Sequence, residues 1–109
     1  MLTEKDYCDY ETCVALYELG YDCQVIHLIA EKITLYEAQK WLREEKGIDI
    51  SVTISPFEYF ATIREFVFWQ GEYSWEKTIH PNGGKTYEEA LAEGIKEAVK
   101  ILKNNGKAN

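Results

Sequence analysis

From Thr86 to Leu102 the chain reads TYEEALAEGIKEAVKIL, and this stretch restricts the possible folds more than any other. Thr86 followed by Glu89 is the capping-box pattern, in which each side chain meets a backbone N–H at the other's position. At about 100° per residue, Tyr87, Ala90, Leu91, Gly94, Ile95, Ala98, Ile101 and Leu102 fall on one broad arc. Glu88, Glu89, Glu93, Lys96, Glu97, Lys100 and Lys103 lie opposite it or along its edges. Acids come first and lysines last, the order a helix dipole favours. The spacing therefore predicts an amphipathic helix over 86–102. Inside its apolar arc, Ala90, Gly94 and Ala98 form a line of small residues. A mid-helix glycine costs about 1 kcal/mol relative to alanine, so a close packing contact is expected to compensate. That contact is either the chain's own sheet or the seam of a homodimer.

Upstream, residues 1–8 read as a frayed start. A first helix is expected from Tyr10 to Leu19, capped by Asp9 and closed at Gly20, with Tyr10, Cys13, Val14 and Tyr17 on its buried face. The segment Asp22–Ile33 suits a short strand or a helical turn about equally. Thr34 and Glu37 form a second capping box, opening a helix that ends at Gly47 with Leu35, Ala38, Trp41 and Leu42 inward. After Gly47 the period changes to two. Ile48, Ile50, Val52 and Ile54 alternate with Asp49, Ser51 and Thr53, a half-buried strand with one wet face.

Two further strands follow, Tyr59–Trp69 and Tyr73–Ile79, joined at Gln70–Gly71. A two-residue loop would set Glu65 opposite Glu76, whereas a three-residue loop sets Glu65 opposite Lys77 and Ile63 opposite Ile79. Like charges directly opposite are unfavourable, which selects the three-residue loop. Ile63, Val67, Trp69, Tyr73, Trp75 and Ile79 then share a face, with Phe66 and Phe68 on the other unless a bulge near Arg64–Glu65 turns them inward. The hairpin carries more aromatics than one face hides. Phe66, Phe68, Trp69, Tyr73 and Trp75 are accordingly the candidate interaction surface, and Ala90, Gly94 and Ala98 the candidate close-packing line.

The resulting order is helix, ambiguous segment, helix, three strands, helix. It predicts a single α+β domain over 1–109, a three-stranded antiparallel meander with helices packed on it, and Lys103–Asn109 as a frayed end. An aromatic content of 14% argues against disorder, and no apolar run is long enough to span a bilayer. The formal net charge is −7, with eleven acids and five bases in residues 1–50 and eight and seven in residues 51–109. Nucleic acid and anionic membrane are therefore poor partners, and a protein partner or a homodimer is expected. The N-terminus lacks the features of a secretory signal, which leads to a cytoplasmic expectation.

Motifs for chemistry are few. Cys8, Cys13 and Cys23 read as reduced thiols packed as small hydrophobes. A zinc site joining them to His27 matches no usual ligand spacing. Gly84-Lys85-Thr86 resembles the end of a phosphate-binding loop, but Ile79 stands where the full pattern needs glycine. Asn82-Gly83-Gly84 as a turn and Thr86 as a cap account for it locally. No catalytic Ser–His or Cys–His set is evident, so no enzyme and no cofactor are expected. Helix, three strands, helix is also the order of double-stranded-RNA-binding domains. Those need basic residues at the start of the final helix, where Glu88 and Glu89 stand instead.

Three stretches carry a resemblance: Glu18–Asp22, Thr34–Val52 (TLYEAQKWLREEKGIDISV) and Thr86–Leu102. Together they resemble short uncharacterised phage and prophage proteins of gut Bacteroidetes. The resemblance implies a bacterial mobile-element context and no particular activity. The sheet-to-helix joint at Thr86–Ala98 is also similar to that of HicB-type antitoxins, which implies an antitoxin or regulator as the alternative.

Overall fold

A computed structural model of the chain describes residues 3–21, 32–54, 58–67, 72–80 and 85–107, with the backbone alone at 66–67, 72–75 and 105–107. Its elements are a 3-10 turn (Glu4–Asp6), α1 (Tyr10–Glu18), α2 (Leu35–Lys46), β1 (Ile48–Ile54), β2 (Tyr59–Val67), β3 (Glu72–Ile79) and α3 (Tyr87–Lys107). The fold is α+β. The strands form one antiparallel sheet in the order β1-β2-β3.

Local signals set most boundaries. Asp9 caps α1 by accepting the Thr12 N–H at 2.8 Å. Thr34 Oγ accepts the Glu37 N–H at 3.1 Å, while its hydroxyl donates to Glu37 Oε1 at 2.8 Å. Gly47 ends α2 with φ 68°, a left-handed conformation that side chains disfavour. At α3, Thr86 Oγ accepts the Glu89 N–H at 3.1 Å. The Glu89 carboxylate reaches back to the Lys85 N–H at 3.0 Å, one residue before the position a capping box prescribes.

Local structure extends into both segments expected to fray, residues 3–8 and 103–107. The Thr3 N–H donates to Asp6, Tyr7 forms an isolated bridge with Thr34, and the Cys8 N–H donates to the Ile33 carbonyl at 2.8 Å. At the other end α3 continues through Lys107, so residues 103–107 extend the helix rather than fray from it. With lysines in its last turns, the helix end matches its own dipole.

α1 presents only part of the expected face. Cys13 is buried and Tyr17 packs, half-buried, against the core, but Thr12, Ala15 and Leu16 are buried as well and Tyr10 is 72% exposed. Tyrosine has an apolar ring but a polar tip, and at the first position of the helix it turns outward. In α2, Leu35, Ala38 and Leu42 are buried as expected, and Trp41 is half-buried, meeting Tyr21 edge-on at 5.5 Å.

The hairpin register also differs from the expectation. Arg64 pairs with Glu76, Ile63 with Lys77 and Ala61 with Ile79, two residues away from the three-residue-loop register. Four residues, 68–71, connect the two strands. The pairing shifts between Glu65, opposite Trp75, and Phe66, opposite Tyr73. The irregularity is thus adjacent to the expected place, but the extra residue, Ser74, is on β3. Opposite charges still face each other in this register, with Arg64 Nε 2.9 Å from Glu76 Oε2.

This register assigns the two faces. Ile48, Ile50, Ala61 and Ile63 are wholly buried beneath the helices. The candidate close-packing line meets its own sheet. Ala90 and Ala98 are fully buried, and a Cβ on Gly94 would stand 2.9 Å from Ile50 Cγ2 and 3.0 Å from Ala61 Cβ. The missing side chain is what lets α3 lie directly on β1 and β2. Ile54, at the end of the alternation, extends past this cover and is 65% exposed.

Candidate functional site

Alternation puts the other half of each strand on the face away from α3. Cross-strand pairing arranges these residues in three rows: Asp49–Arg64–Glu76, Ser51–Thr62–Thr78, and Thr53–Phe60 followed by His80. No helix covers this face among the described residues. The first row is charged, with Arg64 held between two acidic neighbours. The second is a row of hydroxyls whose central member, Thr62, is buried at 7% exposure. The third is aromatic. The Phe60 and His80 rings lie 5.2 Å apart, and the His80 imidazole donates from Nδ1 to Glu58 Oε1 at 2.7 Å.

Of the residues expected to form an interaction surface, Phe68 and Trp69 lie outside the described residues. Phe66, Tyr73 and Trp75 are placed by their backbone: Phe66 directly opposite Tyr73, and Trp75 opposite Glu65. They sit at the hairpin end of the sheet that carries the open face. Phe60, Glu58 and His80, at the opposite end, were not singled out from sequence. Their proximity depends on the register, and no local motif announces it.

The seam between α1 and α3 holds a second set of polar groups. A depression of about 230 Å³ opens beside Lys5, Tyr7, Asp9, Glu88 and Lys96, and a trough of about 400 Å³ continues past Thr12, Ala15 and Val99 to Lys103. Lys96 bridges Asp9 at 3.1 Å and Glu93 at 3.6 Å, and Lys103 bridges Glu18 at 3.1 Å. Burial pulls the Asp9 carboxyl upward, but the Thr12 hydroxyl and N–H and the Lys96 ammonium together outweigh it and hold it below the usual range. Nearby, the Tyr36 hydroxyl approaches Asp6 at 3.3 Å and Glu88 at 3.5 Å. Burial, and then those two carboxylates, raise its pKa.

The thiols give little chemistry. Cys8 and Cys13 are free and buried, with the Cys13 thiol donating to the Cys8 carbonyl at 3.7 Å. Burial, then the neighbouring Cys13, Asp9 and Glu37, push the Cys8 thiol up to about 12, so it stays protonated and poorly nucleophilic. Cys23 and His27 lie outside the described residues, as does most of the ambiguous segment, and among the described residues no cluster of His, Cys, Asp and Glu is placed to hold a metal. At the phosphate-loop-like Lys85–Thr86, the Lys85 N–H is occupied by the Glu89 carboxylate. A carboxylate therefore stands where an anion would need a donor. Among the described residues no helix is long and apolar enough to cross a membrane. No protein-family model matches the chain, and comparison with curated proteins and with solved structures finds no match.

Proposed function

We propose that the chain is a small non-enzymatic accessory protein that works by binding another protein, or a second copy of itself, through the uncovered face of its sheet. The observation that carries this reading is the asymmetry of the sheet. One face is packed against helices, while on the other, which no described helix covers, lie an aromatic row, a hydroxyl row and a charged row. A mixture of an aromatic anchor with polar groups and one arginine is typical of non-obligate protein interfaces. The net charge of −7 favours a partner of opposite sign.

The test is a photo-cross-linking residue placed at Thr53 or Thr78 on the open face, and at Lys40 on the outer side of α2 as a control. Adducts in the host confined to the open-face positions support the reading, and adducts at Lys40 alone overturn it. Light scattering that finds a strict monomer at high concentration removes the self-association branch.

The alternative, an antitoxin-like regulator, draws on β3 leading into α3, the joint on which the HicB similarity rests. Co-purification with a small basic ribonuclease, or a toxin gene beside this one, is the expected sign of it. The bacterial cytoplasm and a phage or mobile element form the setting that both readings share.

A further inference from the structure

Three observations on the α1–α3 seam point the same way. Leu16 is the only large side chain of α1 that is wholly buried, and the other buried residues of α1 (Thr12, Cys13 and Ala15) are small. By comparison, Leu35 and Leu42 anchor α2, and Leu91 and Ile95 anchor α3. Tyr17 adds a half-buried ring against the core, so among the described residues α1 carries the least wholly buried apolar side chain of the three helices, and apolar anchoring scales with the area removed from water. Both of its ends are tied to α3 by ion pairs at the surface, Asp9–Lys96 and Glu18–Lys103, each 3.1 Å long. Such pairs are individually weak and are screened by salt. Between those two ties an open trough of about 400 Å³ runs along the seam over Thr12, Ala15 and Val99, all three buried.

We infer that α1 is a clasp that opens from α3 as a unit, ahead of global unfolding, with the trough as the line along which the two helices part. Opening breaks both ion pairs and withdraws Leu16, exposing Cys13 together with the flank of α3 around Val99. The clasp is independent of the partner reading, and either can fail alone.

The buried thiols report the opening directly. Cys13 is 3% exposed and Cys8 7%, so neither reacts while α1 is closed. The chain has three cysteines, and Cys23→Ser leaves these two as the only targets. In that background, the test is to label with a small aromatic disulfide in native buffer and to locate the modified thiol by mass spectrometry. Urea and stopped-flow unfolding supply the rate that global opening alone would allow. The expected result is Cys13 labelling at least about ten-fold faster than that rate. It should rise a further two- to five-fold, roughly, with Lys103→Met or 0.5 M NaCl. Lys40→Met, an exposed lysine on α2, should leave it unchanged, and the salt effect should disappear in the Lys96→Met/Lys103→Met double variant. Leu16→Ala should accelerate labelling more than either, and should it fail to fold, the ion-pair variants decide. Labelling that tracks global unfolding, or that ignores both salt and Lys103→Met, overturns the clasp.

Discussion

At Gly94 two opposing effects on stability can be weighed at one atom. Alanine there would gain about 1 kcal/mol of helix propensity. Its Cβ, however, would lie 2.9 Å from Ile50 Cγ2 and 3.0 Å from Ala61 Cβ. Neither neighbour yields easily, because one branches next to a strand backbone and the other is itself a Cβ. Overpacking of this kind costs about 1–3 kcal/mol. Gly94→Ala should therefore lower stability by about 1 kcal/mol, and Gly94→Val by about 3 kcal/mol or more, as read from urea midpoints at constant m. A stabilised Gly94→Ala would mean that α3 stands further from the sheet. Asp9 makes the complementary case for a charge. Its carboxylate caps α1 and bridges Lys96, and its folded pKa is lowered. A depressed carboxylate pKa stabilises the fold above the unfolded value, near 3.9, and the benefit is lost as pH falls through the folded value. Asp9→Ala should cost about 1 kcal/mol at pH 7. The difference from the parent chain should shrink steadily below about pH 4, which paired urea titrations at several pH values would measure.

The elements show which sequence signals were sufficient and which were not. Asp9, Thr34, Gly47 and Thr86 mark helix ends through contacts within five residues of themselves, and α1, α2 and the start of α3 are legible for that reason. The alternation Ile48–Ile50–Val52 is equally local. Hairpin register is not. The rule against like charges rejected one pairing, yet it is satisfied both by Glu65 facing Lys77 and by Arg64 facing Glu76, and only the length of the connection and the extra residue on β3 distinguish them. With register undetermined, the grouping of Phe60 with His80, and hence the composition of the open face, could not be read from the chain. The observed register has one consequence for association. Lys77 faces the helix side of the outer strand, opposite Ile63, and ion-pairs with Glu97 on α3. A charge pointing inward on an edge strand discourages another strand from adding there. On the opposite edge, Gln39 Nε2 donates to the Ile50 carbonyl at 2.7 Å and occupies a group that a new strand would need. Lys77→Val should therefore produce concentration-dependent association in light scattering, while the parent chain does not extend through its edges.

For the whole molecule, the helices place the described core on one side of the sheet, and this makes the two faces unequal in a way that substitution can measure. Ala61 and Ile63 of β2 are fully buried, whereas Thr78 and Thr53, on the other face, are exposed. Thr53→Glu and Thr78→Glu should each change stability by no more than about 0.5 kcal/mol, as surface substitutions usually do. Ala61→Val, which adds volume beneath Gly94, should cost about 1–3 kcal/mol. The same two glutamates would put negative charge beside Phe60 and His80, in the middle of the face proposed to meet a partner. They should therefore weaken partner binding while leaving the urea midpoint close to that of the parent chain. Separating the two readouts distinguishes an interface from a buried layer. A loss of more than about 2 kcal/mol at Thr78 would show that the face is covered by the chain itself, because introducing a charge into a packed layer leaves it unpaired. Unchanged stability together with unchanged binding would move the contact surface off this face altogether.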